Sequence, residues 1–168
     1  MYDKLTENDI KKMQEEIDYR KLVVRPKELE AVKEARAQGD LSENFEYKAA
    51  KQDKNRNESR IRYLQNMIKT AQVIDEAPKQ SSVVGLFDKV VLYFEEDEME
   101  QTIQVVTTIR TDPDQGLISK ESPLGKAVLG RCVGDRVEVQ VSPQYHYAVL
   151  IRTITQAEDD GSAPILPF

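Results

Sequence analysis

Gly39-Asp40-Leu41-Ser42-Glu43-Asn44-Phe45-Glu46-Tyr47 decides the fold. Gly39, Asp40, Ser42 and Asn44 are turn and cap residues. A helical pattern runs into them and another runs out. The spacing predicts a helical hairpin whose tip carries three carboxylates, Asp40, Glu43 and Glu46.

The inbound arm places Ile10, Met13 and Ile17 on one helical face, and Leu29, Val32 and Ala35 resume the stripe. Thr6 or Asn8 can cap its start. Pro26 lacks a backbone N–H and clashes with the preceding turn, so a kink or break is expected near residues 22–26. On the outbound arm, Phe45, Ala49 and Ala50 are expected to pack behind the tip. Residues 51–60 contain no apolar side chain, and the stripe returns at Ile61, Leu64, Met67, Ile68, Ala71 and Ile74. Asn55 or Asn57 is placed to enter the seam and fix register. An arm of about 30 residues would reach roughly 45 Å.

Lys48, Lys51, Lys54, Arg56, Arg60 and Arg62 face only Asp53 and Glu58 over residues 48–62, a local charge of +4. Such a stripe is either a solvated helix face or an attraction for a phosphate backbone. Asp40-x-x-Glu43 has two readings as well. It has the spacing of a capping box. It also supplies two hard oxygen donors, too few for a complete Mg²⁺ site, which another molecule would have to finish.

Pro78-Lys79-Gln80-Ser81-Ser82 reads as a linker, after which the periodicity changes. Residues 89–94, 102–109, 136–141 and 147–154 are β-branched and aromatic, and read as strands. Ser122-Pro123 opens a short helix that Gly130 ends. The expected fold is two-domain: an antiparallel α-helical coiled-coil hairpin over 1–77, a linker over 78–83, an α+β domain over 84–156, and a tail over 157–168. The tail is read as disordered, with a short apolar docking peptide as the alternative.

Of the 168 residues, 32% are charged and the net charge is −6. Residues 1–77 hold 16 cations and 16 acids, and residues 78–168 hold 8 and 14, so the acidity is in the second half. One cysteine, Cys132, excludes an internal disulfide or a Cys-based zinc site and suits a reducing cytoplasm. Cys132 is read as a small buried apolar residue. One histidine, His146, argues against Ser-His-Asp or His-metal chemistry and is read as a surface or sheet residue. No stretch of 18 apolar residues predicts a membrane span, and the N-terminus has no apolar signal core.

These residues resemble the bacterial Gre factors. The resemblance rests on residues 34–47, on Ala71-Gln72-Val73-Ile74-Asp75, and on Ile118-Ser119 with Ser122-Pro123-Leu124-Gly125-Lys126-Ala127 running to Leu129-Gly130. It covers the chain to about residue 155. It implies a coiled-coil hairpin and an FKBP-like C-terminal domain in a cytoplasmic monomer. The partner it implies is RNA polymerase, bound through the second domain, with the hairpin reaching down the secondary channel. The tip would then stimulate cleavage of backtracked nascent RNA at its 3′ end by the polymerase itself, so the factor is not an enzyme on its own. The resemblance assigns Asp40 to holding the second Mg²⁺ jointly with the polymerase, and Glu43 to positioning or activating the attacking water. It assigns Arg36 and Lys51 to the extruded RNA, and Ser122 and Pro123 to the loop that grips polymerase. No cofactor of the chain's own is implied.

Two departures stand out. Leu5-Thr6-Glu7-Asn8-Asp9 lacks the glycine usual there, and Arg56-Asn57-Glu58-Ser59-Arg60-Ile61 is more polar than is usual at mid-hairpin. The alternative reading is an inhibitory Gre homologue that blocks the channel, although such inhibitors carry a more heavily acidic tip. A third is a peptidyl-prolyl isomerase using Phe87, Phe94, Tyr93, Tyr145 and Tyr147, a reading that rests on fold analogy alone.

Overall fold

The structure, a computed structural model, describes residues 3–39, 44–75 and 82–167. The chain divides into two compact units: Asp9–Ala71, and Gln72–Pro167 together with Lys4–Asn8. Asp40, Leu41, Ser42 and Glu43 lie outside the described residues, as does most of the expected linker.

The first unit is a helical hairpin. Helix α1 (Glu7–Tyr19) continues through a π-helical turn (Arg20–Val24) into α2 (Arg25–Ala37), and α3 (Phe45–Thr70) returns antiparallel. The pairing shows the direction: Glu16 meets Arg60, Arg20 meets Asn57, Arg25 meets Glu58 and Ala35 meets Asn44. At 26 residues, α3 is about 39 Å long.

Pro26 does not break the inbound arm. The preceding segment widens instead, and the Arg25 N–H bonds to the Arg20 carbonyl, five residues back. A π turn absorbs the lost proline donor while keeping the helix continuous. Leu22, within this turn, is 76% exposed, and Leu29, at 49%, drops out of the expected stripe.

Met13, Ile17, Ala35, Ile61 and Leu64 are buried. Between these apolar ends the seam is polar. Arg60 is 3% exposed and makes paired bonds to Glu16, Nε–Oε1 2.8 Å and Nη2–Oε2 3.1 Å. Arg20 adds a bond to the same carboxylate and donates to the Asn57 side chain at 3.2 Å. Asn57 is buried and donates back to the Arg20 carbonyl at 3.5 Å. Arg25 and Glu58 close the network with two bonds, 2.7 and 3.0 Å. The apolar gap over 51–60 is therefore filled by ion pairs, and Asn57, not the exposed Asn55, occupies the seam.

The second unit is built on a five-stranded sheet, order β5-β4-β3-β7-β6. Its strands are β3 (Lys89–Phe94), β4 (Met99–Val106), β5 (Leu117–Ser119), β6 (Arg136–Ser142) and β7 (Tyr145–Thr155). The pairings are antiparallel except β4 with β5, which is parallel, so the sheet is mixed. Strand β4 also ends earlier than its β-branched run suggests, because Thr108–Arg110 turns into a 3₁₀ segment. Val90, Leu92, Ile103, Val105, Val137, Val139, Val149 and Ile151 form the core against Val128 of α4 (Pro123–Val128). A short parallel pair, β1 (Lys4–Leu5) with β2 (Gln72–Val73), also belongs to this unit, so the boundaries near residues 8 and 72 differ from the expected 1–77 domain.

Two surface expectations need correction. Cys132 is exposed; its N–H bonds to the Asp135 carboxylate in a turn. The first part of the 157–168 tail is fastened. The Asp159 carboxylate is 2% exposed and takes two bonds from Arg110, whose side chain is fully buried. Thr6 and Asn8 also donate to Asp159, Ala157 N–H donates to Asp88, and Leu166 N–H donates to the Ile109 carbonyl. The acidic composition of the tail suggests a solvated peptide, but a buried arginine gives its second acid a partner. Arg110 in turn lies 5.3 Å over the ring of Phe87, which is itself buried.

Candidate functional site

The end of the hairpin is built from the last turn of α2 and the first turns of α3. Helix α3 starts at Phe45, and its cap is Asn44, whose extended backbone lets the side-chain oxygen accept the Tyr47 N–H at 2.9 Å. The amide nitrogen of Asn44 donates to the Ala35 carbonyl in the last turn of α2, at 2.6 Å. One side chain thus starts the outbound helix and ties it to the inbound one. Asp40 and Glu43, and with them the capping-box reading, lie outside the described residues; α3 takes its cap from Asn44.

Arg36 and Tyr47, which have no helical spacing in sequence, meet across the hairpin. The guanidinium carbon lies 5.6 Å from the Tyr47 ring centroid, and Arg36 donates to the Tyr47 hydroxyl at 3.4 Å. That hydrogen bond, joined by the positive charges of Arg36, Lys51 and Lys54, holds the Tyr47 hydroxyl below its usual pKa. Arg36 and Lys51, the two residues assigned to RNA, are both exposed and both act on Tyr47, so they share one face. Tyr47, Lys51 and Lys54 fall at i, i+4 and i+7 on α3, so helical spacing groups them; only the antiparallel pairing brings Arg36 to them.

The basic stripe is narrower than its sequence suggests. Arg60 faces the seam and pairs with Glu16. Lys48 leans over the ring of Phe45, 5.6 Å from its centroid. Phe45 does not pack behind the tip: it is 80% exposed, and Ala49 is exposed beside it.

The second predicted contact region, Ser122-Pro123, forms as expected. The Ser122 hydroxyl donates to the Ser119 carbonyl at 2.6 Å and accepts the Gly125 N–H at 3.0 Å. It fixes the loop, while Pro123 at the first helical position presents an exposed ring. Gly125 is required here, since a Cβ would lie 2.1 Å from the Ser119 carbonyl oxygen. Among the aromatics weighed for isomerase chemistry, Phe94 and Tyr147 stack on each other 6.0 Å apart. Tyr145 bonds Glu96 at 3.0 Å. These contacts hold the rings as sheet packing and surface pairing.

Among the described residues, no helix is long and apolar enough to cross a membrane.

Comparison with known proteins gives matches over most of the chain. Residues 4–73 match the family model described as transcription elongation factor, N-terminal, and residues 79–156 match that for transcription elongation factor, GreA/GreB, C-term. The chain is 43% identical over 136 residues to a protein named transcription elongation factor GreA from Geobacillus kaustophilus, covering 81% of this chain and 86% of that one. It is 38% identical over 151 residues to the GreA of Acholeplasma laidlawii, covering 90% and 95%. Among solved structures, that of the transcription factor Gfh1 is similar at 25% identity, with a TM-score of 0.45 and coverage of 93% and 99%.

Proposed function

Since the chain belongs to the GreA/GreB family of transcription elongation factors, we propose that it binds RNA polymerase and stimulates cleavage of backtracked nascent RNA by the polymerase. The second domain docks through the Ser122-Pro123 loop, and the hairpin enters the secondary channel with Asp40 and Glu43 at its tip. Acting this way, the chain completes an active centre that it does not itself contain.

One observation carries this reading. The neutral side chain of Asn44 caps α3 and clamps it to α2, so the outbound helix does not depend on the two acids for its start. The donor set also suits magnesium, which is typically held by one or two protein carboxylates plus waters and phosphate oxygens. A magnesium ion shared with the polymerase would supply charge neutralisation at the scissile phosphate and a more acidic water. Asp40 would help hold that ion. Glu43 would orient or activate the attacking water. Arg36 and Lys51, on one face beside Tyr47, would neutralise phosphates of the extruded strand.

The test is RNA cleavage in stalled, backtracked complexes. Asp40→Asn and Glu43→Gln should abolish stimulation while leaving polymerase binding intact. Nucleotide addition on an unpaused complex, measured alongside, separates a stimulatory factor from a channel-blocking one: the proposed factor leaves it unchanged, and an inhibitor slows it.

A further inference from the structure

Phe45 is the most exposed of the large apolar side chains among the described residues, at 80%. It is the first residue of α3 and stands two residues along the chain from Glu43. Its ring does no packing work in the hairpin, whose seam is filled by Ala35, Met13, Ile17, Ile61, Leu64 and the central ion pairs. An aromatic ring left in water at the working end of a helix has the hydrophobic effect against it unless something covers it.

The surroundings indicate what covers it. Lys48 holds its ammonium 5.6 Å from the ring centroid. Arg36, Lys51 and Lys54 gather at Tyr47, two residues on. An exposed aromatic interleaved with cations is the composition that single-stranded nucleic acids bind, with bases on ring faces and phosphates on ammonium and guanidinium groups. A purely apolar protein contact would have no use for the cations.

We propose that Phe45 is a stacking platform for a base of the extruded RNA 3′ segment, with Lys48 moving from the ring to an adjoining phosphate as the base arrives. Phe45 is then a substrate-positioning residue: it sets where the strand lies against the acids. The proposal rests on the cleavage-factor reading for its occupant, single-stranded RNA.

The test separates the two. In the full chain carrying Asp40→Asn and Glu43→Gln, so that no RNA is cut, a 4-thiouridine at the RNA 3′ end of a backtracked complex is photocrosslinked to the factor. Phe45→Trp should keep the crosslink yield. Phe45→Ala and Phe45→Leu should reduce it roughly tenfold, the scale of one lost base–aromatic stack. Affinity for polymerase without backtracked RNA should be the same for all three. With the acids restored, Phe45→Ala should raise the factor concentration needed for half-maximal cleavage more than it lowers the maximal rate.

The platform is overturned if Phe45→Ala crosslinks as well as the parent, or if the parent gives no crosslink. It is also overturned if Phe45→Leu behaves like Phe45→Trp while Phe45→Ala loses affinity on complexes without backtracked RNA, which would make the ring a contact to the polymerase protein. If crosslinking depends on Phe45 but the chain with both acids intact stimulates no cleavage, the platform stands and the cleavage reading falls.

Discussion

Asn44 and Ala35 join the two arms at the end of the hairpin, the Asn44 amide donating to the Ala35 carbonyl at 2.6 Å. The same side chain accepts the Tyr47 N–H. That one side chain is the fixed point of the junction between the two helices.

Removing that point should loosen the tip without unfolding the rest. Asn44→Ala is expected to cost about 1 kcal/mol of helix stability, as loss of a good cap does. Amide exchange should rise in the first turn of α3 and stay unchanged near Ile61 and Leu64. Asn44→Asp keeps the cap acceptor but loses the donor to Ala35, so it should restore protection of α3 while leaving cleavage below that of the parent.

The mid-hairpin pair behaves differently. Arg60 is 3% exposed, and its guanidinium makes two bonds to the Glu16 carboxylate. Glu16→Ala removes two charge-assisted bonds from a buried guanidinium and should destabilise the hairpin by roughly 1.5–3 kcal/mol. Replacing both partners, as Glu16→Leu with Arg60→Met, should recover most of that loss. Urea melts of the single and double variants check this.

Acid should weaken both units through two depressed carboxylates. Burial alone would push Glu16 up, but the bonds from Arg60 and Arg20 outweigh it and hold the group below its usual range. Burial likewise opposes, and the bonds from Arg110 and Gly161 N–H dominate, at Asp159. A folded-state pKa below the unfolded value means the stabilisation is complete above about pH 4 and is lost as pH falls through the depressed values. Thermal melts from pH 7 downward should be flat to about pH 5 and then decline. Asp159→Asn should flatten that decline and lower stability at pH 7.

Gly125 offers a test of the docking loop. A Cβ there would sit 2.1 Å from the Ser119 carbonyl oxygen. Gly125→Ala should force the Ser119–Ser122 turn apart and weaken polymerase binding at least tenfold, the equivalent of about 1.4 kcal/mol. Tip-directed variants such as Asp40→Asn should leave that affinity untouched, and a pull-down titration with both distinguishes the loop from the tip.

Much of this molecule is legible from residue types alone. The cap and turn residues around Asn44 announce the hairpin, and Ser122-Pro123 with Gly125 announces the short helix, because local hydrogen bonding fixes both. The π turn is not legible: Pro26 signals trouble, but a break and a widened turn both answer a missing N–H. Nor is the role of Arg60, since a cation in a basic run looks solvated until a carboxylate 44 residues away is brought against it. The fastening of Asp159 depends on a buried arginine 49 residues earlier, and the Arg36–Tyr47 contact on chain reversal. Strand β5 is three residues long and pairs parallel, so it leaves little pattern to read. The exposure of Phe45 goes against the ordinary rule for aromatics, as positions serving a partner often do.

The central claim is that the two acids before Asn44 act on RNA held by the polymerase. The direct measurement is the rate of 3′-RNA cleavage in purified backtracked complexes with the parent chain and with Asp40→Asn/Glu43→Gln at saturating factor. The account predicts strong stimulation by the parent and a return to the factor-free rate with the double variant, at equal occupancy of polymerase. Equal cleavage by the two proteins would contradict it.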